Sequence, residues 1–344
     1  MFPRVKRKMM IREYLKLGRS FNAGLTGFAP VMGAIAMTQF DINFLFLLFL
    51  IGFFGHTYGF VLNDIIDYKI DKSSKELWDR PLISGTISIK KAWIFALLSL
   101  IIAYIIAFYI AYKTQSYFPI IFIILSSTFI TIYDIISKKF PGMDIFVGLG
   151  IFFLIFYGAS TVVNSYNITI LALLVCILGT IQVLFMQFIA GGIKDIENDY
   201  NSGAKTLAIY MGVRIENEKL KVSNSFKSLA YGLQLIDLIV VFLPFFIVWD
   251  IYNLSNLQYL QWIIITIIGI LMFILSYKLL SMKRFDRIKA RKLIGSHYMV
   301  NFMIVPIMLT KLNPWAGILM FFPFLGFILN NLILHGTLLQ PKTM

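Results

Sequence analysis

Long unbroken apolar runs dominate this chain, with neither strict apolar–polar alternation nor a narrow amphipathic stripe. Runs of the length that crosses a bilayer as a helix, about 18 residues or more, stand near 20–38, 42–62, 92–112, 117–136, 145–163, 168–190, 229–249, 258–280, 294–310 and 314–334. The pattern predicts ten helices. A membrane β-barrel is excluded, because the runs do not alternate and are about twice the length of a barrel strand. The chain therefore reads as an all-α integral membrane protein without a soluble domain.

The polar intervals carry the remaining information, and the longest are 63–91, 191–228 and 281–293. The first opens with NDIIDYKID (Asn63 to Asp71) and the second contains KDIEND (Lys194 to Asp199). On a helix Asn63, Asp67 and Asp71 fall at i, i+4, i+8 and project from one face, and Asp195 and Asp199 form an i, i+4 pair. Stacked carboxylates repel one another unless a cation lies between them. Carboxylates at a helix C-terminus also oppose the helix macrodipole, at about 0.3–1 kcal/mol each. Hard oxygen donors in this pattern suit Mg²⁺, which keeps waters and is completed by substrate phosphates. The third interval, KRFDRIKARK, is basic and has no carboxylate pair.

Composition agrees with a membrane protein: 59% of residues are hydrophobic and 14% charged, against about 25% charged for soluble domains. A net charge of +14 would suit nucleic acid, but its distribution follows the positive-inside rule instead. With ten helices and a cytoplasmic N-terminus, 29 of the 31 basic residues fall on one side, and the exceptions are Lys113 and Lys311. Both acidic clusters then face the cytoplasm from a multi-pass protein of the cell membrane. A cleaved leader ending near Ala34-Ile35-Ala36 is the alternative for the first run; a retained helix fits the charge alternation of every later loop. The single cysteine, Cys176, forms no intrachain disulfide and says nothing of redox compartment.

Cations surround the carboxylates. Lys69, Lys72, Lys75 and Arg80 follow the first cluster, and Lys194 and Lys205 flank the second. Such a mixture suits a bound diphosphate: Mg²⁺ bridges carboxylate to phosphate, and lysine and arginine take the remaining charge. The plainer reading of Lys69, Lys72 and Lys75 is juxtamembrane charge. Arg80, set beside a rigid turn by Arg-Pro-Leu, grips phosphate bidentately.

NDIIDYKID with RPLISG, then KDIENDYNSGAKTLAI, resembles the UbiA superfamily of intramembrane prenyltransferases over roughly residues 15–310. The resemblance implies a bundle of nine core helices, with the run at 314–334 as an additional tenth, and hence a bundle over 1–311 followed by an appended helix and tail over 312–344. It implies Mg²⁺ held by Asn63, Asp64, Asp67, Asp71, Asp195 and Asp199. It further implies a prenyl diphosphate contacted by Arg19 and Asn22 (the family's Arg-x-x-Asn), Lys75, Arg80, Lys138, Lys194 and Lys205, with Tyr133 and Lys138 close to the reaction in a Tyr-x-x-x-x-Lys-Arg signature. Lys139 stands where arginine is commoner and Asp144 where asparagine often follows.

The implied activity joins an isoprenoid diphosphate to a lipophilic acceptor. GAKTLAI is similar to the ether-lipid branch, which uses a glyceryl phosphate acceptor, and also to the quinone branch, which uses an aromatic one; the many cytoplasmic lysines suit a phosphorylated acceptor. An allylic cation calls for a dry, aromatic wall, for which Phe53, Phe54 and Tyr58 are the first expectations. Intramembrane polar residues are functional by default: Gln187 lies two turns before Asp195, Asp134 and Gln182 lie at or within apolar runs, and Asp237 reads equally as an interhelical partner. His56 is expected to pack or to line the cavity. A secondary transporter, with a helix break at Gly191-Gly192, is the alternative from another class; its site would lie at the bilayer midplane, whereas these clusters sit at helix ends.

Overall fold

The computed structural model describes residues 3–72, 77–162, 167–217, 219–249 and 255–338. The helices are α1 (Pro3–Leu17), α2 (Ser20–Ala36), α3 (Ile42–Ile66), the short α4 (Tyr68–Asp71), α5 (Ile89–Thr114), α6 (Ile120–Ile136), α7 (Ile145–Ser160) and α8 (Ile170–Leu184). The last continues through a π-helical stretch (Phe185–Gly191) into α9 (Gly192–Lys194). After α10 (Ile196–Ser202) and α11 (Leu207–Tyr210), strands β1 (Arg214–Glu216) and β2 (Lys219–Lys221) pair antiparallel. Then come α12 (Asn224–Ile247), α13 (Asn256–Leu280), α14 (Arg287–Leu309), a 3₁₀ stretch (Pro314–Met320) and α15 (Phe321–His335).

Every apolar run predicted above coincides with a helical element. Among the described residues seven helices are long and apolar enough to cross a membrane, while α6 and α7 are shorter apolar helices and α2 has 17 residues. Two elements were not anticipated: α1, which carries the basic N-terminal segment, and the small β1–β2 hairpin. The helix continues through Gly191-Gly192 without a break, as a π turn.

Local chemistry sets the helix starts. Side-chain oxygens of Asp41, Ser88, Thr169, Ser223 and Asp286 accept from backbone N–H groups in the first turns of α3, α5, α8, α12 and α14, satisfying donors a helix leaves orphaned. Asn313 and Pro314 open the 3₁₀ stretch in the same way.

Packing follows membrane rules, in which small residues face protein and large ones face lipid. In α5 the buried positions are Ala92, Ala96, Ser99, Ala103, Ala107, Ile110 and Ala111, while Ile94, Leu97, Leu98, Ile101 and Ile105 are exposed. The closest approach joins α2 to α7. A Cβ on Gly33 would stand 2.1 Å from the Ile155 carbonyl oxygen, and one on Gly158 1.8 Å from that of Pro30, so any side chain there would force the helices apart. Helix α2 is thus central, packed on α3, α7, α8, α14 and α15, and it carries Arg19 and Asn22 into the bundle.

Candidate active site

Both acidic clusters sit at one-residue interruptions of helices. Helix α3 ends at Ile66, Asp67 forms the junction, and α4 resumes, with the Asp71 N–H donating to the Asp67 carbonyl at 2.9 Å. Asp195 separates α9 from α10 in the same manner, with the Asp199 N–H on its carbonyl at 2.9 Å. Helical spacing is nearly kept across both junctions, and Asn63, Asp67, Asp71, Asp195 and Asp199 all line one cavity of about 690 Å³. The preceding π stretch adds a residue to the turn, and Met186, Gln187 and Phe188 from it also line the cavity.

The polar end is a lattice of opposite charges. Arg19 Nη2 donates to Asp64 Oδ1 at 2.8 Å, and Arg80 Nη1 reaches the same oxygen at 3.2 Å while bonding Asp71 Oδ2. Lys138 Nζ lies 2.9 Å from Asp67 Oδ2. Lys194 Nζ lies 3.1 Å from Asp195 Oδ2, and Arg287 Nη2 donates to Asp195 Oδ1 at 3.0 Å. Arg19 adopts the left-handed region at φ 45°, a conformation costing a non-glycine residue about 1–3 kcal/mol that surrounding structure must over-determine. Its ion pair with Asp64 and its place over the Phe60 ring, 4.7 Å from the centroid, supply that constraint.

Charge balance differs from group to group. Burial pushes the Asp71 carboxyl up, more than the Arg80 and Lys138 charges beside it pull it down. Asp199 is pushed up to about 7 by burial and by Asp195. Burial also disfavours ionisation of Asp195, but Lys194, Arg80 and Lys138 outweigh it and hold this carboxyl below the usual range. Burial would lower Lys138, yet Asp67 raises it. Asp144 is pushed up to about 6, chiefly by burial, and accepts from the Tyr133 hydroxyl.

The sequence-predicted residues are therefore largely brought together. Arg19, Asn22, Asn63, Asp67, Asp71, Arg80, Tyr133, Lys138, Lys194, Asp195 and Asp199 line the cavity. Asp64 does not; it is buried behind the wall, where it holds two arginines. Lys205 is exposed and off the wall, tied in through its backbone N–H to the Lys138 carbonyl at 3.0 Å. Lys75 lies outside the described residues. Of the expected aromatics Tyr58 lines the cavity and Phe53 and Phe54 do not; Phe60, Tyr104, Phe188 and Tyr298 take part instead. His56 and Gln187 line it as well.

Asp237 does not: it is buried beside Gln182 between α12 and α8, which favours the interhelical reading. Sequence reasoning missed Arg287, whose basic stretch held no carboxylate pair to advertise it. The only signal available was an arginine opening an apolar helix.

The deeper wall is apolar, with Ile51, Leu100, Ala103, Ile123, Ile130, Val147, Ile151 and Leu154. A cavity with this polarity gradient accepts a molecule that has an anionic head and a hydrocarbon tail. The donor set fits Mg²⁺: the four cavity-lining aspartates of the two clusters offer hard oxygens, and Asp199, which makes no ion pair among the described residues, needs a cation to ionise fully at neutral pH. Among the described residues no three His, Cys, Asp or Glu side chains are gathered about one point; Mg²⁺ typically completes its shell with waters and substrate phosphates.

Residues 25–302 match the model of the UbiA prenyltransferase family. The digeranylgeranylglyceryl phosphate synthase of Methanobrevibacter smithii is 30% identical over 212 residues, covering 60% of this chain and 71% of the relative. The protein of the same name from Methanococcus aeolicus is 31% identical over 212 residues, 59% of this chain and 70% of its own. Among solved structures, a UbiA homolog from Archaeoglobus fulgidus bound to GPP and Mg²⁺ superposes with a TM-score of 0.61 at 16% identity, covering 92% of this chain and 99% of that one. The apo UbiA homolog from Aeropyrum pernix gives 0.62 at 14% identity, with 83% and 94% covered.

Proposed function

The chain belongs to the UbiA prenyltransferase family, and from that membership we propose that it transfers a prenyl group from an isoprenoid diphosphate to a hydroxyl of a glyceryl phosphate acceptor, a step of ether-lipid assembly. The observation that carries the reading is a single cavity whose mouth alternates carboxylates with arginine and lysine and whose depth is hydrocarbon. That gradient suits a diphosphate head and a prenyl tail. The curated relatives named as ether-lipid synthases favour the glyceryl phosphate acceptor over an aromatic one.

In this reading Asn63, Asp67, Asp71, Asp195 and Asp199 hold the metal, and Asp64 belongs with them by fixing the arginines. Bound Mg²⁺ supplies Lewis-acid neutralisation of the leaving diphosphate. Arg19, Asn22, Arg80, Lys138 and Lys194 grip its oxygens and Lys75 adds charge, while Lys205, exposed and off the wall, contributes only a screened surface charge. As the allylic C1–O bond breaks, diphosphate leaves with the electron pair, and these fixed cations stabilise charge that develops only then. The apolar wall with Tyr58, Phe60 and Tyr104 excludes water from the allylic cation. The acceptor hydroxyl oxygen forms the new C–O bond, and its proton leaves with the released diphosphate. Residues 1–311 form a core of nine membrane helices, 312–344 add a tenth and a tail, and the polar mouth faces the cytoplasm.

Purified protein given radiolabelled geranylgeranyl diphosphate and Mg²⁺, with geranylgeranylglyceryl phosphate or dihydroxynaphthoate in parallel, tests this directly. Labelled glyceryl ether is expected. Labelled naphthoate alone would move the chain to the quinone branch, and pyrophosphate release with neither acceptor would leave the acceptor assignment wrong.

A further inference from the structure

Asp134 fills an unspecified position of the Tyr133–Lys138 signature, and it sits in the wall of the same cavity as the first acidic cluster. It lies on α6 and is 3% exposed. Its Oδ1 accepts from Asn63 Nδ2 at 3.3 Å, across from α3, while its Oδ2 has no hydrogen-bond partner among the described residues. The contrast with Asp64 is informative. Asp64, equally buried, has Arg19 and Arg80 on one oxygen, whereas among the described residues no cation pairs with Asp134. A carboxyl in a membrane-spanning helix with an unmet oxygen is costly and marks function by default.

The Asn63 amide has two ends, and only its oxygen can ligate a cation. Anchoring the nitrogen on Asp134 fixes the direction in which that oxygen points. We infer that Asp134 is a positioning residue of the metal site: its Oδ1 holds the Asn63 amide nitrogen and so orients the amide oxygen that would ligate the cation. This rests on the Mg²⁺-dependent reading above.

The test is Mg²⁺ affinity of the purified full chain with inorganic pyrophosphate, measured calorimetrically and without turnover, alongside the thermal midpoint of each variant. Outer ligand partners typically alter metal affinity 10–100-fold. Asp134→Asn keeps an acceptor for the Asn63 amide and is expected to retain wild-type Mg²⁺ affinity. Asp134→Leu loses it and is expected to weaken Mg²⁺ about 10–100-fold, and adding Asn63→Ala to it costs little more, because the two act as one unit. A purely structural Asp134 would shift the midpoint alone. Wild-type Mg²⁺ affinity in Asp134→Leu, or an equal loss in Asp134→Asn and Asp134→Leu, with Asp67→Asn still impaired, overturns this inference and leaves the function standing; should Asp134→Leu not fold, Asp134→Ala takes its place. Wild-type protein that takes up no Mg²⁺ with pyrophosphate overturns both.

Discussion

The two acidic clusters line the same cavity but are held in opposite ways. In the first, Asp64 and Asp71 are buried under Arg80, Asp64 also under Arg19, and Asp67 is met by Lys138. In the second, Asp195 keeps 34% of its side chain exposed while touching Lys194 and Arg287, and Asp199 makes no ion pair among the described residues. The first cluster is a closed scaffold in which charge is already balanced. In the second, two cations converge on Asp195 while Asp199 has no ion pair among the described residues, so an added cation gains most beside Asp199. Two sequence motifs that look alike are therefore held differently, the first with each aspartate met by a cation and the second, among the described residues, with its cations on one aspartate.

The largest expected effect tests the closed half. Arg80→Leu strands Asp71 in a buried site and leaves Asp64 with Arg19, and breaking a buried pair by removing one partner costs about 3–5 kcal/mol. The measurement is unfolding of the detergent-solubilised protein. Arg287→Leu leaves the half-open Asp195 with Lys194 and solvent, so its cost is expected at about 1 kcal/mol or less. Equal losses in the two variants would erase the distinction between the clusters.

Turnover is the second probe. Asp67→Ala and Asp199→Ala each remove charge from the diphosphate end, and losing one such group typically costs about 10²–10³-fold in rate. Stability separates them. Asp67→Ala frees Lys138 and lowers the thermal midpoint, whereas Asp199→Ala relieves repulsion with Asp195 and leaves the midpoint level or higher. Full activity in either variant contradicts the metal assignment.

A third probe is pH. With its carboxyl near 7 in the metal-free protein, Asp199 must release a proton when Mg²⁺ binds. Below pH 7 affinity is therefore expected to fall as pH falls, by up to about tenfold per unit, and above it to level off. Titrations at a series of pH values read this slope, and Asp199→Asn flattens it. A slope that survives the substitution assigns the proton to another group.

How much of this the sequence announces depends on the kind of order involved. Ten apolar runs announced ten helical elements, since bilayer length is a coarse and strong constraint. The interruptions at Asp67 and Asp195 are invisible in a periodicity, because one residue leaving the helix disturbs spacing too little to be read. Asp134 and Arg287 act through partners 71 and 92 residues away in sequence, and a tertiary contact of that range has no local signature. Phe53 and Phe54 were expected in the wall on proximity alone. The helix face that meets the cavity carries Tyr58 and Phe60 instead, which depends on how α3 is rotated by its neighbours.

The smallest effect separates two lysines that the sequence treats alike. Lys194 and Lys205 flank the same motif, but Lys194 is buried in the cavity wall beside Asp195, and Lys205 stands on the surface. A charged hydrogen bond in such a wall is worth about 1.5–3 kcal/mol, so Lys194→Ala is expected to raise the KM for the prenyl diphosphate about tenfold or more. Lys205→Ala removes only a solvated charge, and its backbone bond to Lys138 survives. Its KM is expected within about twofold of wild type, since surface charges are screened at physiological salt. A tenfold rise in Lys205→Ala would mean that the loop after α10 folds over the diphosphate when it binds, making the open half of the site a moving one.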